Sequence, residues 1–89
     1  MDLELINWLK DGKYRIRILR ALSRRSMLPS ELADSLAINR SSVSRLLAGL
    51  RKRGLINAVT SGSRTVTYEL TERGMEVAKI LERFLDVTK

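Results

Sequence analysis

The sequence predicts a mainly α fold with one small β-hairpin, an α+β arrangement in a single domain over residues 1–89. This length is enough for one small domain and not for two. Apolar residues recur at three- and four-residue intervals in several segments, which is the helical pattern. Around Gly62, two short segments rich in β-branched residues predict paired strands instead.

Two helices are predicted before the centre of the chain, over residues 3–10 and 13–23. Trp8, the only tryptophan, is expected to anchor the first helix in the core or in a subunit interface. The inward stripe of the second helix consists of Ile18, Leu19 and Leu22. Residues 25–28 are expected to form a minimal strand, because a residue that precedes proline avoids helical geometry.

A helix-turn-helix is predicted next. Pro29 suits the first position of a helix over residues 29–36. After a tight turn, Asn39 suits the N-cap of a second helix over residues 40–53. The apolar face of this second helix carries Val43, Leu46, Leu47 and Leu50. Two helices joined by so short a turn, the second one basic on its outer face, form a helix-turn-helix.

The outer face of helix 40–53 has the composition expected of a helix that enters a DNA groove. It carries Ser41, Arg45, Ala48 and Lys52, and no acidic residue. Small residues permit a close approach to DNA, while Arg and Lys reach base edges and phosphates. Arg45 is the best candidate for base recognition, because Arg can form two hydrogen bonds with one guanine. We therefore expect this helix to be a recognition helix.

Further contacts are expected around Arg45. The serines that suit either phosphates or base edges are Ser41, Ser42 and Ser44. The alternative for each serine is simple solvent exposure or helix capping, above all for Ser42. The cations expected to hold phosphates are Arg40, Lys52 and Arg64.

The strands that follow are expected to form a wing. They are predicted over residues 55–61 and 64–70, and the tip over residues 61–64 offers hydrogen-bond donors to phosphates or to the minor groove. Thr71 suits the N-cap of a last helix that runs from residue 72 to about 87.

The last helix has more apolar surface than one small core requires. Its main stripe consists of Val77, Ala78, Leu81, Phe84 and Leu85, and the stripe is widened by Met75, Ile80 and Val87. A helix that is apolar over so much of its girth is expected to pack on two surfaces. We expect a homodimer through residues 72–89, joined by residues 1–10. The alternative is that both apolar stripes pack within one monomer.

The charge distribution favours a polyanionic partner. The formal net charge is +7, and no acidic residue lies between Asp34 and Glu69. The cations in that interval are Arg40, Arg45, Arg51, Lys52, Arg53 and Arg64. A second basic block spans residues 10–25. Segregation of this kind is typical of nucleic-acid binding, although basic residues on helix faces are most often there only for solvation.

Several classes of function lack the residues that they require. The chain has no cysteine and no histidine, which excludes disulfides and removes the commonest general base and transition-metal ligand. No nucleophile–base pair or phosphate loop is evident, so neither an enzyme nor a bound metal or cofactor is expected. No apolar run is long enough for a membrane span or a signal peptide, so a cytoplasmic location is expected.

Four runs of the sequence carry a resemblance to a known group. They are SELA at 30–33, INRSSVSRLL at 38–47, LRKRGLI at 50–56 and YELTERG at 68–74. Together they resemble winged helix-turn-helix transcriptional regulators of the MarR and ArsR-like families, and most of all their small archaeal or phage-type relatives. The resemblance covers about residues 13–85 and is more specific for the fold than for any subfamily.

The resemblance implies a sequence-specific DNA-binding dimer, with the recognition helix in the major groove and the wing on the adjacent backbone or minor groove. The implied contacts are Arg40, Ser41, Ser42, Ser44 and Arg45 from the helix, and Arg64 from the wing. ArsR-type metal sensing uses cysteine and histidine ligands, which this chain lacks. MarR proteins are longer, with additional helices that build the dimer and an effector pocket. Those helices are largely missing here, so ligand sensing is not expected.

The predicted function is therefore regulation of transcription by a dimer that binds double-stranded DNA. One alternative is a winged-helix protein–protein interaction module without specific DNA binding. Non-specific architectural or single-strand binding is disfavoured, because the four aromatic residues do not cluster into a stacking platform. They are Trp8, Tyr14, Tyr68 and Phe84.

Overall fold

The computed structural model describes residues 2–62 and 64–87, without the side chains of residues 61 and 84–87. Its elements, in chain order, are α1 (Leu3–Lys10), α2 (Lys13–Leu22), α3 (Pro29–Leu36), α4 (Arg40–Lys52), β1 (Ile56–Ser61), β2 (Thr65–Leu70) and α5 (Glu72–Val87). This order confirms the predicted fold class, a mainly α winged helix-turn-helix with one antiparallel hairpin.

The start of α3 is stabilised by its own first turn. Pro29 occupies the first helical position, as predicted. Glu31 Oε1 accepts a hydrogen bond from the Leu28 N–H group at 2.9 Å, and its other carboxylate oxygen pairs with Arg25 at 3.0 Å. The Leu28 N–H group and then the Arg25 guanidinium lower the pKa of Glu31 below its usual value.

The turn between α3 and α4 is a left-handed helix cap followed by an N-cap. Ala37 has φ 56°, so the chain reverses direction there. The Ile38 N–H group donates to the Ala33 carbonyl at 3.1 Å, the long hydrogen bond of a Schellman motif. Asn39 Oδ1 then accepts from the Ser42 N–H group at 2.8 Å, which confirms Asn39 as the N-cap of α4.

Helix α4 also ends in a Schellman motif. The predicted helix 40–53 stops at Lys52, and Arg53 is the C-cap. Gly54 follows with φ +75°, and the Leu55 N–H group donates to the Leu50 carbonyl at 3.1 Å. The prediction that a strand begins at residue 55 was therefore wrong by one residue, because Leu55 completes the helix cap and β1 begins at Ile56.

The end of α4, the start of β1 and the start of α5 meet at one junction. Thr71 Oγ1 donates to the Gly54 carbonyl at 2.7 Å and accepts from the Gly74 N–H group at 3.0 Å. The Thr71 N–H group donates to the Leu55 carbonyl at 3.0 Å. A Cβ atom at Gly74 would lie 2.0 Å from that same carbonyl oxygen, so only glycine fits there.

The hairpin is attached to the helices through a third strand segment. Its register runs from Ile56 opposite Leu70 to Ser61 opposite Thr65. Met27 forms an isolated antiparallel bridge with Tyr68, through N–H···O bonds of 3.0 and 2.8 Å. This bridge confirms the minimal strand that was predicted in residues 25–28. The strand predicted to begin at residue 64 begins one residue later, at Thr65.

The core takes residues from every helix and from both strands. Its buried members are Leu5, Leu9, Ile18, Leu19, Leu22, Met27, Leu32, Ala33, Leu36, Val43, Leu47, Leu50, Leu55, Ile56, Leu70, Val77, Ala78 and Leu81. Three residues of the predicted α5 stripe, Val77, Ala78 and Leu81, are thereby buried in the chain's own core. The other two residues of that stripe, Phe84 and Leu85, lie outside the described side chains, as does Val87, which was predicted to widen it. Among the described residues, no helix combines the length and the hydrophobicity that crossing a bilayer requires.

We predict that Gly74→Ala destabilises the fold by about 1–3 kcal/mol, because the new methyl group would overlap a backbone carbonyl that cannot rotate away. Urea denaturation measures the change. Gly62→Ala is the matched control, since a Cβ atom there meets nothing within 4 Å. Equal free energies of unfolding for the two variants would contradict the junction described above.

Candidate nucleic-acid interface

The outer face of α4 forms an exposed strip beside the hairpin. Ser41, Arg45, Ala48 and Lys52 are all exposed, and their spacing of three and four residues places them on one side of the helix. Arg40 and Ser44 are exposed at its edge. The opposite side of α4 holds Val43, Leu47 and Leu50 in the core. The helix is therefore held by one face and free on the other.

Ser42 differs from the other predicted contact residues. It is half-buried, and its N–H group is bonded to the Asn39 side chain. It lies ~100° round the helix from Ser41, on the flank of the exposed strip. The structure thus places Ser41, Arg45 and Lys52 together and leaves Ser42 at their margin.

The cations of this surface are not neutralised by neighbouring acids. Arg40, Arg45 and Lys52 are exposed, as is Arg64. Among the described side chains, the ion pairs are Arg25–Glu31 and Arg73–Asp2, both outside the acid-free interval. An exposed ion pair contributes little to stability. These charges therefore remain available to an anionic partner.

The predicted wing tip is described only in part. Arg64 is exposed where the chain enters β2, and it lines an open groove with Thr60, Gly62 and Thr65. Ser63 and the side chain of Ser61, both included in the predicted tip, lie outside the described part of the chain. Of the predicted tip side chains, Arg64 is the one that the structure describes.

A cleft between α4 and the hairpin adds residues that the sequence did not single out for binding. It is lined by Leu47, Ala48, Arg51, Lys52 and Tyr68. Tyr68 is half-buried, packs on the core and lines this cleft together with Ala48 and Lys52. Nothing in the sequence indicated that Tyr68 lies beside α4.

Four cations of the basic block of residues 10–25 contact other side chains of the chain. The Arg15 guanidinium lies over Trp8, 4.2 Å from the ring centre. Lys13 and Arg17 both lie near the Tyr14 ring, and Arg25 pairs with Glu31. Most cations of this block therefore already make contacts within the chain.

These features define a winged helix-turn-helix domain whose second helix presents a basic, acid-free face. A family model described as HVO_A0261 N-terminal domain matches residues 3–89. The chain belongs to this family. No curated protein matches the chain significantly.

Solved structures of winged-helix regulators share the fold. HlyU from Vibrio cholerae is 28% identical, over 90% of this chain and 86% of HlyU, with a TM-score of 0.77. A point mutant of ZitR from Lactococcus lactis is 26% identical, over 84% of this chain and 53% of ZitR, with a TM-score of 0.79. Wild-type ZitR in complex with DNA is 29% identical, over 74% of this chain and 47% of ZitR, with a TM-score of 0.70. The chain spans about half the length of ZitR.

The adhesin competence repressor AdcR from Streptococcus pyogenes is similar in fold alone. It is 22% identical, over 97% of this chain and 69% of AdcR, with a TM-score of 0.81. At that identity, the likeness concerns the arrangement of the helices and the hairpin and not the contact residues.

We predict that Asn39→Ala lowers the free energy of unfolding by about 1 kcal/mol, because it removes the side-chain acceptor at the start of α4. Thermal or urea denaturation checks this value. Asn39→Asp is the matched control, because aspartate caps helices equally well and should keep the parent's stability. An unchanged stability in Asn39→Ala would mean that the cap does not hold this end of α4.

Proposed function

We propose that the protein binds specific sequences in double-stranded DNA and regulates transcription. In this proposal α4 lies in the major groove, and the wing contacts the adjacent backbone or the minor groove. The observation that carries the proposal is the exposed strip on α4. Its small residues and its cations, which form no ion pair with the described side chains, lie within an interval free of acids. Such a surface repels neither phosphates nor base edges that accept hydrogen bonds.

The contact residues have different proposed roles. Arg45, near the middle of the strip, would donate two hydrogen bonds to a guanine. Ser41 and Ser44 would contact base edges or phosphates, and Ser42 would contact phosphate from the margin. The cations proposed to hold the backbone are Arg40, Lys52 and Arg64. Tyr68 would border the path of the backbone between α4 and the wing.

The comparisons support this proposal and limit it. ZitR has been solved in complex with DNA. This likeness supports a DNA-binding regulator of the MarR/ArsR-like kind and not an enzyme. The structural neighbours come from Lactococcus lactis, Streptococcus pyogenes and Vibrio cholerae, so the closer likeness to archaeal or phage-type regulators stays a prediction.

We also propose a homodimer through α5, with α1 contributing. Met75 on α5 is 49% exposed and Leu3 on α1 is 74% exposed, the large hydrophobic residues most open to solvent in the described part of the chain. Covering such residues favours association. A two-fold dimer would present two copies of α4, so its DNA site would be a pseudo-palindrome with half-sites ~34 Å apart.

Selection from random duplex DNA tests the proposal directly. A consensus sequence, bound more tightly than a scrambled control across a salt titration, is the expected result. Salt-dependent binding without a consensus would indicate an architectural role. No binding to duplex DNA would indicate the protein-interaction module and would refute the proposed regulator.

Arg45→Ala should weaken binding to the selected sequence by about 1–3 kcal/mol and relax the preference at one base position. Lys52→Ala should weaken binding to all sequences alike and lower the salt slope by about 1, because it removes one phosphate contact. Fluorescence anisotropy on selected and scrambled duplexes separates the two effects.

Lys10→Ala is the control for these variants, since it removes an exposed cation outside the acid-free interval. The recognition surface is misplaced if Arg45→Ala and Lys52→Ala both bind the selected duplex as tightly as Lys10→Ala does.

Met75→Glu should weaken the dimer at least about tenfold, because a carboxylate would have to be desolvated in the interface. Light scattering over a range of protein concentrations measures the dissociation. Asn57→Glu places the same charge at an exposed position on β1, outside both proposed dimerisation helices, and should leave the dimer intact. A parent protein that stays monomeric at micromolar concentration would exclude the dimer.

A further inference from the structure

Trp8 connects the N-terminal helix to the recognition helix. It lies on α1, is half-buried and packs against the core. A Cβ atom at Gly49 of α4 would lie 3.2 Å from Trp8 Cζ2 and 3.6 Å from Trp8 Cη2. The indole edge therefore rests on α4 at the one residue of that helix without a side chain, and a larger residue at position 49 would have to push it away.

The same indole group holds the cation at the end of α4. The Arg53 guanidinium carbon lies 4.0 Å from the centre of a Trp8 ring, within the range of a cation–π contact. Arg15 of α2 lies 4.2 Å from a Trp8 ring centre, and its Nη1 donates to the Trp8 carbonyl oxygen. Elements α1, α2 and α4 thus converge on a single side chain.

These contacts lie beside the proposed DNA-binding face. Gly49 and Arg53 are one helical turn apart, on the flank of α4 next to Arg45 and Lys52. Trp8, Gly49, Lys52 and Arg53 line one shared cleft. A shift of α1 would therefore directly displace the C-terminal half of α4, which carries part of the exposed strip.

We propose that Trp8 is a positioning residue for DNA binding, which fixes the C-terminal half of α4 through Gly49 and Arg53. This inference rests on the proposed function. It gives Arg53 a role within the chain and makes the orientation of α4 depend on α1. The alternative is that Trp8 only fills space in the core, in which case its loss would lower the melting temperature without changing the affinity of the folded protein.

The contact itself is tested without DNA. Alanine favours a helix more than glycine does, so Gly49→Ala should raise the melting temperature once the indole is removed. Gly49→Ala should therefore raise the melting temperature more in the Trp8→Leu variant than in the parent protein, where the new methyl group meets Trp8. Additive effects of the two substitutions would overturn the inference, whatever the protein does with DNA.

The effect on binding is tested on the selected duplex, well below each variant's melting temperature. Trp8→Leu should lose about fivefold in affinity for the selected sequence, the size of one cation–π contact, and less for a scrambled duplex. Trp8→Phe, which keeps an aromatic face, should recover most of the loss. Asn7→Ala, at an exposed position on the same helix, is the matched control and should bind as the parent does.

The two proposals fail in different ways. If Trp8→Leu binds like the parent while Arg45→Ala loses affinity, the positioning role is overturned and the DNA-binding surface stands. If the parent protein shows no preference for any duplex, the proposed function falls and the positioning role falls with it. Trp8 fluorescence gives a second readout, because Arg53→Leu should change the emission of the only tryptophan before DNA is added.

Discussion

The close packing of Gly74 against the Leu55 carbonyl group determines how the other elements are arranged. Leu55 closes the cap of α4 and leads directly into β1, so a carbonyl held there fixes both the end of α4 and the start of the hairpin. Thr71 bonds to both Gly54 and Leu55, which ties α5 to the same point. One backbone junction therefore joins the end of α4, the start of the hairpin and the start of α5.

The charges of the exposed strip are better explained by function than by stability. An isolated helix gains from acids near its N-terminus, but the first turn of α4 contains none. The two ion pairs of the described side chains lie elsewhere. Clustered like charges without partners lower stability slightly, and a polyanion in contact with them recovers that cost. Arg53 is the exception, since Trp8 holds it on the flank of the helix.

Local patterns in the sequence were sufficient to predict the elements, because caps and periodicity act over a few residues. Pro29, Asn39 and Thr71 each begin the helix that was predicted for them. The errors come from contacts between distant segments. Leu55 was predicted to belong to a strand, but its hydrogen bonds to Leu50 and Thr71 make it part of the cap of α4. The contact between Trp8 and Gly49 could not be predicted, because the two residues are far apart in the sequence. The DNA-contact residues, including Arg45, remain predictions for the same reason: their partner lies outside the chain.

A nuclear magnetic resonance titration of the ¹⁵N-labelled protein with its selected DNA duplex tests most directly whether α4 reads DNA. The amide shifts should change most in residues 39–48, at the start of α4, and in residues 60–65 of the wing. Amides of the buried half of α2 and of the first turns of α5 should change little. Changes confined to α1 and α5, with residues 39–48 unaffected, would contradict the claim that α4 is the surface that reads DNA.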